Sequence, residues 1–426
     1  MINQLSHRSK KLIKYIKNYA KSEEIKLDTK TEKFLHDMYK QLKSVPVDID
    51  FIKFRDIEKF TVATSSDNNN NNNNKYFPEK IQDYIYKSAL YNIGYEFNIK
   101  ERNIKLNFVV FSERDVEKLK NLKKYDRYAH NVYLVLNLLC NYADESCSKS
   151  ININIYMTPF KKVFSKNKEV LGPININSGF SGVCQPLGNI VVYRKEEWFK
   201  VLIHETIHSL GLEFSQMNLS EFNKQIGALF PINSEFNIFE AYTDFWAVTL
   251  NSVLASFLVA DKSKSFKCFV KDFKKYIYCE KIYISVKVGE ILKYMGMTYI
   301  DLFEDNEKSR NAREKYNENT NIFAYFICKM ILLDDYNKFI VWCIENNKNY
   351  IDFNKDEKTL ESLFQYILKN HNSNSILNNV NGDNKNIRKH LSRKKTSKKK
   401  PYKKTLKFKN QIVDKQSLCL AGIEIE

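Results

Sequence analysis

Two histidines and a glutamate stand at a spacing that constrains the fold around them: residues 204–208 read H-E-T-I-H. The flanking sequence predicts a helix from about residue 195 to residue 210, ended by Gly211 in the left-handed conformation. Positions i and i+4 of a helix project from one face, so His204 and His208 can both reach one metal ion. Glu205 lies about 100° around the helix and can reach a water beside that ion. The motif therefore indicates a metal site, and zinc accepts this arrangement of imidazoles.

A zinc site needs a third protein ligand, and the sequence offers two alternatives. The metzincin pattern H-E-x-x-H-x-x-G-x-x-H/D finds its glycine here, but Phe214 stands at the ligand position and cannot bind zinc. Glu213, next to it, is one alternative. The other is a second apolar helix predicted over residues 237–260, which carries Glu240 and Asp244 at i and i+4, on one face.

A lack of nearby cations distinguishes these two carboxylates. Residues 225–261 contain no Lys or Arg in 37 positions, although 68 of the 426 residues are Lys or Arg, so that about six would be expected. Buried carboxylates without a compensating positive charge are costly. A zinc ion with its histidines would supply that charge, which favours Glu240 as the third ligand. The alternative is that Glu240 caps or hydrogen-bonds in the core and that Asp244 faces solvent.

Together these residues resemble the gluzincin zinc metallopeptidases, the class of thermolysin and neprilysin. The resemblance implies His204, His208 and Glu240 as zinc ligands, and Glu205 as general base and proton shuttle. It also implies that Asp244 accepts a hydrogen bond from a ligand histidine, His204, and fixes its tautomer. The expected activity is hydrolysis of peptide bonds in a peptide or protein substrate, with Zn²⁺ as cofactor.

The resemblance covers about 90 residues, roughly Ile174 to Ala260. Gluzincins place an antiparallel edge strand above the metal, where it pairs with the substrate backbone. The segment 174–183, with Asn177 and Gly179, is the candidate for that strand. The composition and the run from Asn177 to His208 are also similar to metallopeptidase-like proteins of giant DNA viruses.

Peptidases of this class add a late His, Tyr or Arg that stabilises the oxyanion. Tyr325, on a helix predicted after residue 320, is a candidate, and so are Arg310 and Arg313. The downstream histidines, His371 and His390, lie in or near a polar tail and fit this role poorly. No local motif selects among these residues.

The expected fold class is α+β and zincin-like: a small mixed sheet, then the H-E-x-x-H helix, then a mainly helical C-terminal lobe. The predicted organisation is an N-terminal helical region (1–66), an Asn-rich linker or loop (67–75), a metallopeptidase domain (76–371) and a disordered basic tail (372–426).

The tail concentrates the chain's charge. Thirteen cations and no acidic residue lie between residues 385 and 409, so this segment accounts for most of the net charge of +18. Such a segment can bind nucleic acid without sequence preference. The alternative function is therefore a non-catalytic zincin-like scaffold or virion protein that binds nucleic acid through its tail.

The remaining composition indicates an intracellular protein in the host cytoplasm, nucleus or virion. The eight cysteines show no disulfide framework and are expected to be reduced thiols. The N-terminus lacks the apolar core of a signal peptide, and no stretch of 18 uncharged apolar residues predicts a membrane span.

Overall fold

The computed structural model describes residues 5–19, 25–46, 50–61, 75–165, 167–260, 265–381 and 416–426. The strands are β1 (Arg55–Lys59), β2 (Tyr91–Ile99), β3 (Arg102–Val110), β4 (Ser150–Tyr156), β5 (Gly179–Ser181) and β6 (Leu187–Val192). The helices are α1 (His7–Tyr19), α2 (Thr29–Ser44), α3 (Glu79–Ser88), α4 (Arg114–Glu117), α5 (Leu119–Leu139), α6 (Pro173–Ile176), α7 (Trp198–Ser209), α8 (Ser220–Leu229), α9 (Ile238–Ala260), α10 (Phe266–Met295), α11 (Glu307–Arg313), α12 (Lys329–Asp334), α13 (Tyr336–Asn346), α14 (Glu357–Asn370) and α15 (Asn374–Asn381). A π-helical segment, Phe323–Cys328, leads directly into α12.

The six strands form one mixed sheet in the order β1-β2-β3-β4-β6-β5. The neighbours β1–β2, β2–β3 and β5–β6 are antiparallel, whereas β3–β4 and β4–β6 are parallel. The α+β class is therefore confirmed, with the sheet before α7 and helices after it. Strand β5 lies at the edge of the sheet among the described residues, and α7 packs against it and β6.

Alternating side chains build the sheet's main apolar face. In the parallel pair β3–β4, Ile104 faces Ile151, Leu106 faces Ile153 and Phe108 faces Ile155, and all six are fully buried. This is the period-two pattern that a strand with one buried face requires. The apolar run 132–140, whose type the sequence left open, belongs to α5, which packs behind this face.

Helix α9 lies at the centre of the helical layer and packs on α7, α10 and the π-helical segment. The prediction of an apolar helix over residues 237–260 is confirmed, and burial on all sides explains why its sequence lacks a polar stripe. Among the described residues, no helix is long and apolar enough to span a membrane.

The N-terminal region is only partly as expected. Helix α2 begins after Asp28, whose side chain accepts a hydrogen bond from the backbone of Thr31 at 2.7 Å, and it buries an apolar face against α9. However, β1 pairs with β2, so residues 1–66 are not purely helical and contribute a strand to the sheet. Most of the Asn-rich segment, residues 67–74, lies outside the described residues.

The expectation of a disordered tail from residue 372 is wrong for two described stretches. Residues 374–381 form α15, which packs on α10. Residues 416–426, here called the C-terminal segment, are buried from residue 417 to residue 423, with Leu418, Cys419 and Ala421 inaccessible to solvent. The basic stretch 385–409, with His390, lies outside the described residues.

Two buried carboxylates hold the backbone of the C-terminal segment. Glu197 accepts hydrogen bonds from the backbone N–H groups of residues 420 and 421 at 3.0 and 2.6 Å. Glu280 on α10 accepts those of residues 422 and 423 at 2.8 and 2.7 Å. Short sequence windows could not show this docking, because the acceptors lie more than 140 residues away from the segment.

The expectation of eight reduced thiols is also wrong for one pair. Cys147 and Cys184, 37 residues apart, form a disulfide that ties the turn between β5 and β6 to the start of β4. The other six cysteines are free thiols. The pairing does not follow a local motif, since it depends on where the sheet places the two residues.

Removal of residues 416–426 should destabilise the whole fold. Glu197 and Glu280 would each lose two N–H donors in a buried site, and hydrogen bonds to charged groups contribute about 1.5–3 kcal/mol each. We expect thermal unfolding to shift down by more than 10 °C, or the truncated chain to be insoluble. Adding Glu280→Gln to the truncated chain should recover part of the loss, because a neutral amide is less costly to leave unpaired. An unchanged melting temperature would show that the segment does not contribute to the core.

Candidate metal centre

Helix α7 carries the H-E-x-x-H motif and is buried along its whole length. It begins after Glu197, which adopts a left-handed conformation with φ of 59°. It ends as predicted, because Gly211 adopts φ of +64° and its N–H donates to the carbonyl of His208 at 2.8 Å. A Cβ atom at this glycine would lie 3.0 Å from the Cβ of Cys184, so the disulfide packs closely against the end of the helix.

Three side chains from α7 and α9 converge on one point. His204 Nε2 lies 3.0 Å from Glu240 Oε2, His208 Nε2 lies 3.3 Å from the same oxygen, and the two nitrogens are 3.2 Å apart. Both histidines thus turn the same ring nitrogen toward the carboxylate of the second helix. Among the described residues, this is the group of His, Cys, Asp and Glu side chains whose donor atoms are close enough to hold a metal ion.

The donor set fits zinc by chemistry and by spacing. Two imidazoles and one carboxylate are ligands that zinc accepts, with bonds of about 2.0–2.2 Å. Two such ligands at a tetrahedral angle are about 3.3–3.4 Å apart by simple trigonometry on those bond lengths, close to the three separations of 3.0 to 3.3 Å. Three protein ligands leave one coordination position open, which is the arrangement of catalytic rather than structural zinc sites.

Each histidine has a carboxylate behind it. His204 Nδ1 lies 3.2 Å from Asp244 Oδ1, within ion-pair distance although outside good hydrogen-bond geometry. His208 Nδ1 lies 3.3 Å from Glu213 Oε1. Glu213, which the sequence left as an alternative third ligand, therefore contacts the other nitrogen of His208, on the side of the ring away from Glu240. Such outer carboxylates fix the tautomer and the orientation of a ligand histidine.

Asp244 is compensated by lysines rather than by a metal alone, contrary to the expectation from the cation-free segment. Lys200 on α7 contacts one of its oxygens, and Lys329 on α12 donates to the other at 2.5 Å. The carboxylate is fully buried, so the alternative in which it faces solvent is also wrong. Burial lowers the pKa of Lys329, and the charges of Glu280 and Glu197 oppose that shift. Both lysines lie outside residues 225–261, so the count of cations in that stretch did not include them.

Glu240 is held by a pair of asparagines that the sequence did not single out. Its second oxygen accepts a hydrogen bond from Asn321 Nδ2 at 3.2 Å, and Asn237 Nδ2 donates to Asn321 Oδ1 at 3.0 Å. Burial opposes ionisation of Glu240, but the attraction of His208 and His204 outweighs it and lowers the pKa of its carboxyl. The carboxylate therefore presents a charged oxygen to the two imidazoles.

Glu205 lies beside this group and contacts the edge strand. Ser181 Oγ in β5 donates to Glu205 Oε2 at 3.0 Å. A Cβ atom on Gly179 would be 2.8 Å from the carbonyl oxygen of Val191 and 3.0 Å from Glu205 Oε1, so only glycine fits there. Burial raises the pKa of the Glu205 carboxyl to about 7, a value suited to accepting and returning a proton near neutral pH.

The candidate oxyanion stabilisers lie in different parts of the structure. Tyr325, on the π-helical segment, reaches the site: its ring centroid lies 5.8 Å from that of His204. Arg310 pairs with an exposed aspartate, and Arg313 donates to two backbone carbonyls. His371 packs between two phenylalanines and its Nδ1 lies 2.8 Å from a backbone carbonyl oxygen. The structure thus brings only Tyr325 of these four to the site.

The prediction of an edge strand over residues 174–183 is only partly confirmed, because Pro173–Ile176 form α6 and the strand β5 spans only Gly179–Ser181. Gly179 begins β5, and Asn177 ends the preceding turn, with its Oδ1 accepting from Thr320 Oγ1 at 2.6 Å. Asn177, Gly179, Glu205 and Tyr325 line one small cavity. Its volume of about 20 Å³ is the room of a single water molecule. His204, Glu205 and His208 are only 5–6% exposed, so the site is enclosed. Two other cavities, of about 640 and 450 Å³, are lined by residues away from the motif.

Comparison with known proteins gives one distant relative. The chain is 25% identical over 268 residues to the uncharacterised protein R210 of Acanthamoeba polyphaga mimivirus, a match that covers 60% of this chain and 64% of that protein. No family model matches the sequence, and no solved structure matches the fold.

Replacement of Gly179 by alanine should disturb the site from the sheet side. The new Cβ would meet a backbone oxygen that cannot turn away and the Glu205 carboxylate. Overpacking of this kind costs about 1–3 kcal/mol, so we expect a lower melting temperature and a displaced Glu205. Gly182→Ala, in the same hairpin, is the matched control because its Cβ would meet only the side chain of Gln185, at Cγ 3.1 Å away, and no backbone atom. Equal melting temperatures for the two variants would contradict the close approach.

Proposed function

We propose that this chain is a zinc-dependent metallopeptidase with a zincin-like fold of the gluzincin type. The observation that carries the proposal is the convergence of His204, His208 and Glu240 at 3.0–3.3 Å, with Glu205 one residue from the first ligand. The order of elements supports it as well, since a mixed sheet ends in an edge strand beside the motif helix, and a second helix supplies the carboxylate.

When bound, zinc would lower the pKa of a water toward about 7 and polarise a peptide carbonyl. The chain's own residues supply the rest of the chemistry. Glu205 would accept the proton of the attacking water and return it to the leaving amine. Ser181 holds that carboxylate in place from the edge strand.

The substrate would bind as an added strand along β5. An unpaired sheet edge offers backbone N–H and C=O groups to an extended peptide. Tyr325 would donate a hydrogen bond to the scissile carbonyl oxygen as negative charge develops there. Burial, followed by the charges of Glu240 and Glu205, raises the pKa of the Tyr325 phenol well above its ordinary value, so it keeps its proton.

The enclosure of the site favours a second candidate, a non-catalytic zincin-like scaffold. A cavity with room for one water does not admit a peptide, and the ligand residues are almost inaccessible. In this case the metal would stabilise the fold, and the basic stretch 385–409 would carry nonspecific nucleic-acid binding. Catalysis would require β5 or the π-helical segment to move so that a substrate can enter. The scaffold function requires no such movement.

The metal ligands can be tested by zinc content and affinity. We expect His204→Ala and Glu240→Ala each to weaken zinc binding by more than about 100-fold, since loss of an outer carboxylate alone costs about 10–100-fold. Glu213→Ala should fall in that smaller range, because Glu213 only contacts His208. Glu235→Ala, an exposed glutamate next to α9, is the control and should bind zinc as the native protein does. A protein that retains its zinc in Glu240→Ala but loses it in Glu213→Ala would reverse the assignment.

The two candidate functions separate in the Glu205→Gln variant. Glutamine keeps the shape of the side chain but cannot accept a proton, so zinc should remain and cleavage of a peptide library should be abolished. If the native protein cleaves and the variant cleaves equally well, Glu205 is not the general base. If the native protein and the variant both bind zinc and neither cleaves a peptide, the protein is a non-catalytic scaffold.

A further inference from the structure

A chain of buried polar contacts extends from the metal site to the C-terminal segment. Asp244, which stands behind His204, is shared by the ammonium groups of Lys200 and Lys329. The side chains of Asp244 and Lys329 are fully inaccessible, and that of Lys200 is 3% exposed. A buried lysine is costly unless each N–H of its ammonium group has an acceptor. The acceptors other than Asp244 therefore determine where these two ammonium groups lie.

Lys329 finds its second acceptor in the C-terminal segment. Its Nζ donates to the carbonyl oxygen of Leu420 at 2.7 Å, in addition to Asp244 Oδ2 at 2.5 Å. The backbone at this point is fixed from the other side, since Glu197 accepts the N–H groups of Leu420 and Ala421. Leu420 also lines the small cavity beside His204 and Glu205. The ammonium group is thus held between a rigid backbone carbonyl and the carboxylate.

The carboxylate transmits this position to the ligand histidine. Asp244 Oδ1 lies 3.2 Å from Nδ1 of His204, while Nε2 of the same ring faces Glu240. With Lys329 on its other oxygen, the Asp244 carboxylate cannot rotate without breaking a buried ion pair. The two atoms are at ion-pair distance without hydrogen-bond geometry, and a carboxylate placed in this way behind a ligand histidine can fix the plane of its ring.

We infer that Lys329, held by the carbonyl oxygen of Leu420, is a positioning residue for His204 that acts through Asp244. The inference rests on the metal site proposed above. It makes the C-terminal segment part of the wall of that site, although the segment supplies no ligand. His204 and Leu420 are more than 200 positions apart in the sequence, with Asp244 and Lys329 between them. Only the tertiary fold brings the four residues into contact.

The test is a double-mutant cycle in the full-length chain, made from Lys329→Met, Asp244→Asn and the double variant. Zinc affinity is measured by competition with a chelator, and site geometry by the visible absorption of the Co²⁺-substituted protein. Lys329→Met should weaken zinc binding about 10- to 100-fold and alter the cobalt spectrum. The zinc affinity of the double variant should lie within about 2-fold of that of Asp244→Asn. Both changes interrupt the same relay, the series of contacts from Lys329 through Asp244 to His204.

Lys287→Met is the matched control. Lys287 is equally buried and pairs with Glu290 at 2.8 Å within α10, outside the relay. It should cost stability but leave the zinc affinity within about 2-fold and the cobalt spectrum unchanged. A purely structural role for Lys329 would make the two methionine variants behave alike in these readouts.

Gly422→Ala provides a second route if Lys329→Met does not fold. Its Cβ would lie 2.6 Å from Leu12 Cδ2, which can turn away, and 3.2 Å from Tyr283 Cγ at the base of the ring, which cannot. We expect the segment to shift by a few tenths of an ångström and to move the Leu420 carbonyl. The same change in the cobalt spectrum, of smaller size, is expected.

Several outcomes overturn the inference. Native zinc affinity and cobalt spectrum in Lys329→Met, or in Gly422→Ala when only that variant folds, would show that the relay does not reach the site. Additive losses in the double variant would show that Lys329 does not act through Asp244. If the native protein binds neither zinc nor cobalt, the proposed metal site fails, and the inference fails with it.

Discussion

The charges buried between α7, α9, α10 and the C-terminal segment determine how this protein is put together. Asp244, Glu197 and Glu280 are each inaccessible to solvent or nearly so, and each is satisfied by groups from other elements. A carboxylate in the interior costs several kcal/mol unless its oxygens are paired. The helices can therefore pack only in the arrangement that brings these partners together, and the apolar contacts around them must conform to it.

The candidate metal site lies within this network. His204 and His208 are placed by one helix, and the carboxylates of Asp244 and Glu213 lie 3.2 and 3.3 Å from their Nδ1 atoms. Glu240 is oriented in turn by Asn321, which precedes the π-helical segment. π-Helical turns are found frequently at functional sites. Here the segment and the helix after it present Tyr325 to the site and Lys329 to Asp244, four residues apart in sequence.

Local patterns predicted those parts of the molecule that depend on neighbouring residues. The spacing of His204 and His208 and the glycine after them define α7, because helix periodicity and the left-handed cap are short-range properties. The apolar run after residue 237 defines α9, and with it the face that carries Glu240. The alternating segments of β3 and β4 follow from the period of a strand with one buried face.

The partners of those elements could not be predicted, since they depend on contacts between residues that are far apart in sequence. Lys329 reaches Asp244 from 85 positions away, and the disulfide joins residues that share no motif. The cation-free stretch around Asp244 was a true property of the sequence, but its compensation comes from two other helices. The docking of residues 416–426 could not be predicted from the neighbouring sequence, because the stretch 385–409 before it is strongly charged and its acceptors, Glu197 and Glu280, lie more than 140 residues away.

The order of the chain gives the C-terminal segment one more consequence. Every element that surrounds it, from Ser9 to Lys329, precedes it in sequence and leaves the ribosome earlier. Domains fold largely as units during synthesis, beginning with their N-terminal parts. Until residues 420–423 emerge, two interior carboxylates have no backbone donors and Lys329 has no carbonyl acceptor. A nascent chain could therefore form the sheet and most helices while the interior charges stayed open to water. Burial of these charges would be completed only after this segment had been translated.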